Sequence, residues 1–251
     1  MSPRLEVIAL EGMPEIAKGD PLGPMLLAAA DGDLRAGDVL VVSHKAVSKA
    51  EGRVRSLGAV EPGERALALG SELGKDPRLV QLILDESTEV IRAAGGVLIV
   101  ETREGWICAN AGIDSSNVEG EDTVLLLPES ADASARRLRS ELRLPGGSAP
   151  AVIVADTFGR ALRVGQADVA LGCAGLRPLD DWRGRADAQG RRLTATMVAI
   201  ADEVAAAADL VRPKDAGSPA AVVRGLERLV TPEDGPGAAA LRRDRSQDLF
   251  R

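Results

Sequence analysis

Three apolar runs in this 251-residue chain stop abruptly in residues that hold cations or anions. Val39 to Val42 gives way to Ser43, His44, Lys45, Ser48 and Lys49. The run through Cys108 opens into CANAGIDSSNVEGED, rich in oxygen-bearing side chains. Ala151 to Ala155 ends at Asp156 and Thr157. Asp114 and Asp156 are the carboxylates at two of these ends, and they are expected to converge. A hard divalent cation such as Mg²⁺ takes oxygen ligands, often one or two carboxylates, and leaves the rest of its shell to nucleotide phosphates. Thr157 offers a further oxygen to a second ion. His44, Lys45 and Lys49 bring positive charge, and a lysine meets phosphate as a compact cation with rotatable donors. Asn117 offers an amide to a nucleobase or ribose edge, and Arg160 and Arg163 add guanidinium forks suited to carboxylate and phosphate. Together these residue types point to phosphoryl or acyl-phosphate chemistry.

Each piece taken singly also has a plainer reading. AGIDSSN alone reads as a turn in which Asp and Ser bond their own backbone, and an Asp at a strand end reads as a helix cap. Lys45 and Lys49, four apart, fit a solvated face, His44 a satisfied histidine, and Cys108 a small buried hydrophobe. Asp202 and Glu203 interrupt an otherwise apolar helix. There is no Walker loop and no G-x-G-x-x-G fingerprint, so a nucleotide site here is of neither the P-loop nor the Rossmann type.

The elements that must position these residues follow from periodicity and punctuation. Leu5 to Leu10 reads as an opening strand, followed by a Gly/Pro loop with Pro14 and Pro21. MLLAAADGDL reads as a short helix, and Glu64 to Thr88 as helical pieces divided by Gly70, Gly74 and Pro77. Val97 to Thr102 and Trp106 to Ala109 form a hairpin, and DTVLLLP is a strand. DASARRLRSELR is a helix capped by Asp132 or Ser134. RLTATMVAIADEVAAAADLVR is the longest expected helix, with Leu193, Met197, Ile200, Val204 and Leu210 on one stripe. PAAVVRGLERL is a last strand or short helix, and residues 231–251 form a mobile tail with an anchored end. Strands and helices interleave without a linker, so the expected fold is mixed α/β (α+β) in a single domain, 1–251.

Composition narrows the function. With 45% hydrophobic and 27% charged residues the chain has the make-up of an ordinary globular protein. Two Trp, two Phe and no Tyr leave few platforms for stacking bases, and a net charge of −7 is the wrong sign for gripping a phosphate backbone. No run reaches the length of a membrane span, and the N-terminus has no apolar core of signal-peptide length. Two distant cysteines without metal-ligand spacing suit a reducing compartment, so a cytoplasmic protein with no nucleic-acid or membrane partner is expected.

In combination and in order, GMPEIAKGDPL, GDVLVVSHKAVSKAEGR, CANAGIDSSNVEGED, VIVADTFGRALRVGQADVALGCAGLRPLDDWRG, ADEVAAAADLV and the terminal QDLF resemble the coenzyme F420-0:L-glutamate ligase family over nearly the whole chain. The resemblance is to the stand-alone form, without the flavin-binding domain that follows in some actinobacterial members. It implies an unusual mixed-sheet fold in an intertwined homodimer. It also implies a ligase that uses GTP and Mg²⁺ or Mn²⁺, with K⁺ as an accompanying ion, to add L-glutamate to F420-0 through an acyl phosphate. Carried over by motif, Met13, Pro14, Glu15, Ile16, His44, Lys49 and Asn117 border GTP. Asp114 and Asp156 hold one metal and carry the catalysis, and Thr157 holds a second. His44 stands where the family pattern has Ser. Two alternatives stay open: a related amide ligase with another amino acid or carboxylate acceptor, and a non-catalytic nucleotide- or deazaflavin-binding protein.

Overall fold

The structure, a computed structural model, describes residues 4–116, 120 and 122–249. In chain order, strand β1 (Glu6–Leu10) is followed by helix α1 (Leu22–Ala29), β2 (Val39–Ser43), α2 (His44–Ala50), β3 (Val54–Ser56), α3 (Glu64–Leu73), α4 (Pro77–Asp85) and β4 (Ser87–Ala94). Next come β5 (Val97–Thr102), β6 (Ile107–Ala109), β7 (Thr123–Leu125), α5 (Ala131–Glu141), β8 (Ala151–Arg160) and β9 (Arg163–Ala174). The last are β10 (Asp180–Asp181), β11 (Met197–Val198), α6 (Ile200–Asp209) and β12 (Ala220–Arg224).

The principal sheet has the order β1-β12-β2-β8-β9. Its pairs are antiparallel except for β2 with β8, which run parallel. A parallel pair needs a long crossover, and here everything from α2 to α5 lies between the two strands. Because side chains alternate across a strand, Leu40, Val42, Val152 and Val154 face one layer, made of α1, α2 and α5. Val39, Val41, Ala151 and Ile153 face the other, made largely of α6. Both faces are covered, so β2 and β8 read as unbroken apolar runs.

Part of the crossover builds its own satellite. Strands β4, β5 and β6 form an antiparallel sheet against α3 and α4, around Val80, Ile83, Leu98 and Val100. Buried Arg53 ties it to the chain leading into α5, donating from Nε to Leu127 O and from Nη2 to Glu86 at 2.6 Å. The architecture is therefore mixed α+β with several sheets of mixed orientation.

Several boundaries differ from the sequence expectation. The polar segment after Val42 is helix α2, with Ser43 as its cap accepting from Lys45 N. The β8 strand does not end at Asp156 but runs on to Arg160, paired throughout with β9. Helix α5 is capped by Ser130 rather than Asp132 or Ser134. Asp132 instead accepts from Cys173, Ala238 and Ala239 N–H groups, tying β9 and the segment after Gly237 to α5. The expected longest helix shrinks to α6, and Leu193 and Met197 precede it while Leu210 is 86% exposed. The apolar spacing of Leu193 and Met197 extended that helix backward, but Thr194, Thr196 and Val198 are β-branched, and Met197–Val198 pair with β10 instead. Within β9 one extra residue, Leu171, sits between the pairs Val154–Gly172 and Ala155–Ala170. At that bulge Asp202 of α6 accepts from Ala170 N at 2.9 Å, so the acid that interrupts the apolar helix is a structural acceptor. A bulge re-aims the side chains that follow it, and those are Asp156 and Thr157.

Two close approaches set the packing. A Cβ on Gly172 would lie 2.1 Å from the Ala131 carbonyl, which is why α5 can sit down on β9. At the opposite edge, Arg224 grips Asp38, itself 1% exposed, through Nε and Nη2 at 2.9 Å each. Breaking such a pair strands a buried charge, so Arg224→Met is expected to destabilise the fold by about 3–5 kcal/mol in urea unfolding. An effect below about 1 kcal/mol, the level of an exposed pair, would show that Asp38 finds water instead.

Candidate active site

The carboxyl ends of adjacent parallel strands leave a crevice, since the chains leave in different directions. Here the crevice opens where β2 ends at Ser43, opposite Ala155 of β8. It is a cavity of about 630 Å³, within the range of roughly 300–1,000 Å³ usual for small-ligand sites. One wall is the loop after β1, with Met13, Pro14, Glu15 and Ile16. The floor is Ser43, Lys45, Ala46 and Lys49 from β2 and α2, with Asp156 and Thr157 from β8. Asp114 and Ser116 close one side, and the loop after α6 closes the other.

Asp114 reaches the cavity through a left-handed turn. Asn110, Ala111 and Gly112 all have positive φ, of 53°, 56° and 68°. Asn and Gly tolerate this region, but alanine pays roughly 1–2 kcal/mol for it. Beyond the turn, Asp114 pairs through its backbone with Leu125. Its carboxylate accepts from Ser116 N at 2.6 Å and from Ser116 Oγ at 3.0 Å, and meets Lys45 Nζ at 2.6 Å. The loop is thus both the self-bonded turn that its composition favoured and a wall of the cavity. Half-burial pushes the Asp114 carboxyl upward, but the Lys45 ammonium and the Ser116 donors outweigh it and hold the group below the usual carboxylate range.

Asp156 accepts from Thr157 N at 2.7 Å through Oδ1, and His44 Nε2 lies 3.2 Å from the same oxygen. Its Oδ2 has no protein partner among the described residues. The His44 side chain does not line the cavity. It is 1% exposed, buried behind Asp156, and the geometry at both ring nitrogens falls outside that of a hydrogen bond. The difference follows from α2: as its first residue, His44 turns inward while Lys45 and Lys49 turn to the cavity. Lys49 Nζ contacts Glu15 Oε1, joining the floor to the wall. Asn117 lies outside the described residues. Arg160 and Arg163 stand away from the cavity at the turn of the β8–β9 hairpin, where Arg160 Nη2 donates to Val164 O.

The far wall was not singled out from sequence. It carries Gln166 and Asp168 from β9, then Asp209, Arg212, Lys214 and Asp215 around the end of α6. Asp168 lies directly across from Thr157 in the β8–β9 register, so the two share a face of the hairpin. It accepts from Thr157 Oγ1 and from Arg212 Nη2 at 2.6 Å each, and is 4% exposed. The only sequence signal was an acid within the otherwise apolar stretch ADVALGCAG, together with the Gly/Pro-rich PKDAGSP. Cys108 and Cys173 are free and buried, and burial pushes both thiols up to about 12, so neither is a nucleophile at neutral pH.

The family described as F420-0:Gamma-glutamyl ligase matches residues 12–225. The chain belongs to that family. The Coenzyme F420:L-glutamate ligase of Methanothermobacter thermautotrophicus is 43% identical over 251 residues, covering 98% of this chain and 99% of its own. That of Haloarcula marismortui is 46% identical over 254 residues, covering 98% and 96%. That of Methanopyrus kandleri is 42% identical over 250 residues, covering 99% and 97%. In this family member the matched span holds all the described cavity residues. Among the described residues no helix is long and apolar enough to cross a membrane.

A depressed carboxyl stabilises the fold above its unfolded-state pKa and loses that contribution as pH falls through its folded-state value. Lys45→Met is expected to raise the Asp114 titration midpoint, followed by carboxyl ¹³C NMR, and to shrink the acid-side loss of stability. An unmoved midpoint would assign the depression to Ser116 alone.

Proposed function

We propose that this chain joins the amine of L-glutamate to the carboxyl group of F420-0, forming the amide that begins the gamma-linked glutamyl tail, and drives the bond with GTP. The observation that carries the reading is one cavity that unites Asp114 and Asp156 with Lys45 and Lys49 at the ends of the parallel strands. A carboxylate resists attack by an amine, so it must first be activated. The γ-phosphoryl group passes from GTP to a carboxylate oxygen of F420-0, the bond to GDP breaks, and an acyl phosphate forms. The amine of glutamate then attacks the acyl carbon. The carbon–oxygen bond breaks, phosphate departs and the amine loses its proton.

The chain's own residues supply position and charge. Lys45 and Lys49 meet phosphate oxygens, and the Met13–Ile16 wall encloses the nucleotide. The donor set fits a hard cation: among the described residues Asp156 keeps one carboxylate oxygen without a protein partner, and the Asp114 carboxylate lines the same cavity. Among the described residues no three His, Cys, Asp or Glu side chains gather into a ready-made cage, as suits an ion that shares its shell with phosphates. Mg²⁺ or Mn²⁺ held by Asp114 and Asp156 would offset the charge gathering on the transferred group. The free buried cysteines suit a cytoplasmic enzyme, and the family resemblance supports a homodimer.

Mass spectrometry of F420-0 incubated with the protein, GTP, L-glutamate and Mn²⁺ tests the reading. GTP-dependent gain of glutamyl units is expected, and Asp114→Asn or Asp156→Asn should abolish GDP release while the circular dichroism spectrum stays unchanged. GTP binding without any added mass would instead favour a binding protein, and full turnover in both variants would remove the metal assignment.

A further inference from the structure

The cavity has two acidic corners, and their charge balance differs. At the first, the ammonium of Lys45 contacts Asp114, while Asp156 Oδ1 has the Thr157 N–H and the His44 ring beside it. Among the described residues no lysine or arginine contacts the Asp156 carboxylate, and its Oδ2 is without a protein partner. A divalent cation has both the charge and the oxygen it needs.

At the second corner, around Thr157, the balance is already closed. The Thr157 hydroxyl has one hydrogen, and Asp168 Oδ1 takes it at 2.6 Å. Its oxygen therefore turns lone pairs toward the cavity, the orientation a cation requires. The cation found there is the ammonium of Lys214. Its Nζ stands 2.9 Å from Thr157 Oγ1, 3.0 Å from Asp209 Oδ1 and 4.0 Å from Asp168 Oδ1. Asp168 Oδ2 is taken by Arg212 Nη2 at 2.6 Å. Two carboxylates face two cations. The exposed Asp215 adds a charge farther along the same wall, with no ion pair to this group.

The backbone that carries Lys214 is anchored on both sides, while its side chain is 68% exposed and is placed by Thr157 and Asp209. Arg212 donates to Ala208 O at the end of α6 and to Pro219 O, while Ser43 N donates to Pro219 O at 2.8 Å. These bonds fasten both ends of the 210–219 loop against the sheet. A divalent ion at Thr157 would have to displace the ammonium that stands 2.9 Å from Thr157 Oγ1 or stand beside it, and like charges at such distances repel.

We infer that Lys214 supplies at Thr157 the positive charge a second divalent ion would bring, so that this chain works with one divalent cation, at Asp114 and Asp156. This rests on the nucleotide-and-metal reading of the cavity. Lys214 thereby takes the role of a counter-charge to the phosphates, with Asp168 orienting the Thr157 oxygen toward it.

Equilibrium dialysis with Mn²⁺ at saturating GDP, read as bound manganese per chain, tests the inference independently of turnover. Wild type should bind one ion and Lys214→Ala two, because removal of the ammonium opens Thr157 and Asp209. Lys214→Arg should restore a single ion. Two ions on the wild type, or one on Lys214→Ala, would overturn the inference and leave the ligase reading intact, since glutamate addition is measured separately. No bound manganese in any form would overturn both the metal assignment and the inference.

Discussion

The site depends on one constraint: two parallel strands, β2 and β8, lie side by side with both faces buried. Parallel neighbours end at the same side of a sheet, so the helix leaving β2 and the continuing end of β8 open a crevice between them. Burial on both faces fixes the register, because a slip of one residue would turn Leu40 and Val42 from one helical layer to the other. The register in turn sets Ser43 opposite Ala155 and delivers Asp156 and Thr157 to the crevice in consecutive positions. Being consecutive, these two side chains leave opposite faces of the strand. One therefore meets His44 at the start of α2, and the other meets Lys214 in the loop after α6.

Charge of both signs gathers there. The protein carries a net −7, which by itself would repel a nucleotide. Around the cavity Lys45, Lys49, Arg212 and Lys214 face six carboxylates, those of Glu15, Asp114, Asp156, Asp168, Asp209 and Asp215, so the protein groups alone leave the cavity net negative and a bound cation would turn the local field toward phosphate. Each of these cations already contacts a carboxylate. Pairing keeps the site from being a cluster of like charges while empty, and anionic ligands meet cations whose positions are set in advance.

Much of this was legible along the chain. The apolar runs of β2 and β8 and the hairpin of β5 and β6 follow from composition and turn residues alone. The acids and lysines at strand ends were visible because polar residues that follow an apolar run must emerge at the end of a buried strand. Helix ends were less legible: the apolar spacing of Leu193 and Met197 continues that of α6 although Met197–Val198 pair as a strand, and Asp132 reads as a cap until packing commits it to β9 and the 238–239 backbone and leaves the cap to Ser130.

By itself, then, the sequence determined the strand cores, the chemistry of the strand ends and, through ordered motifs, the family. Only the tertiary structure decided which charged groups share a space. His44 and Lys45 are neighbours in the chain, yet one is buried behind Asp156 and the other faces the cavity. Asp168 and Lys214, far apart in sequence, meet at Thr157. The reason is physical: helical and strand geometry set which way a side chain points, but a partner's distance depends on long-range pairing and on the bulge at Leu171, which local pattern does not encode.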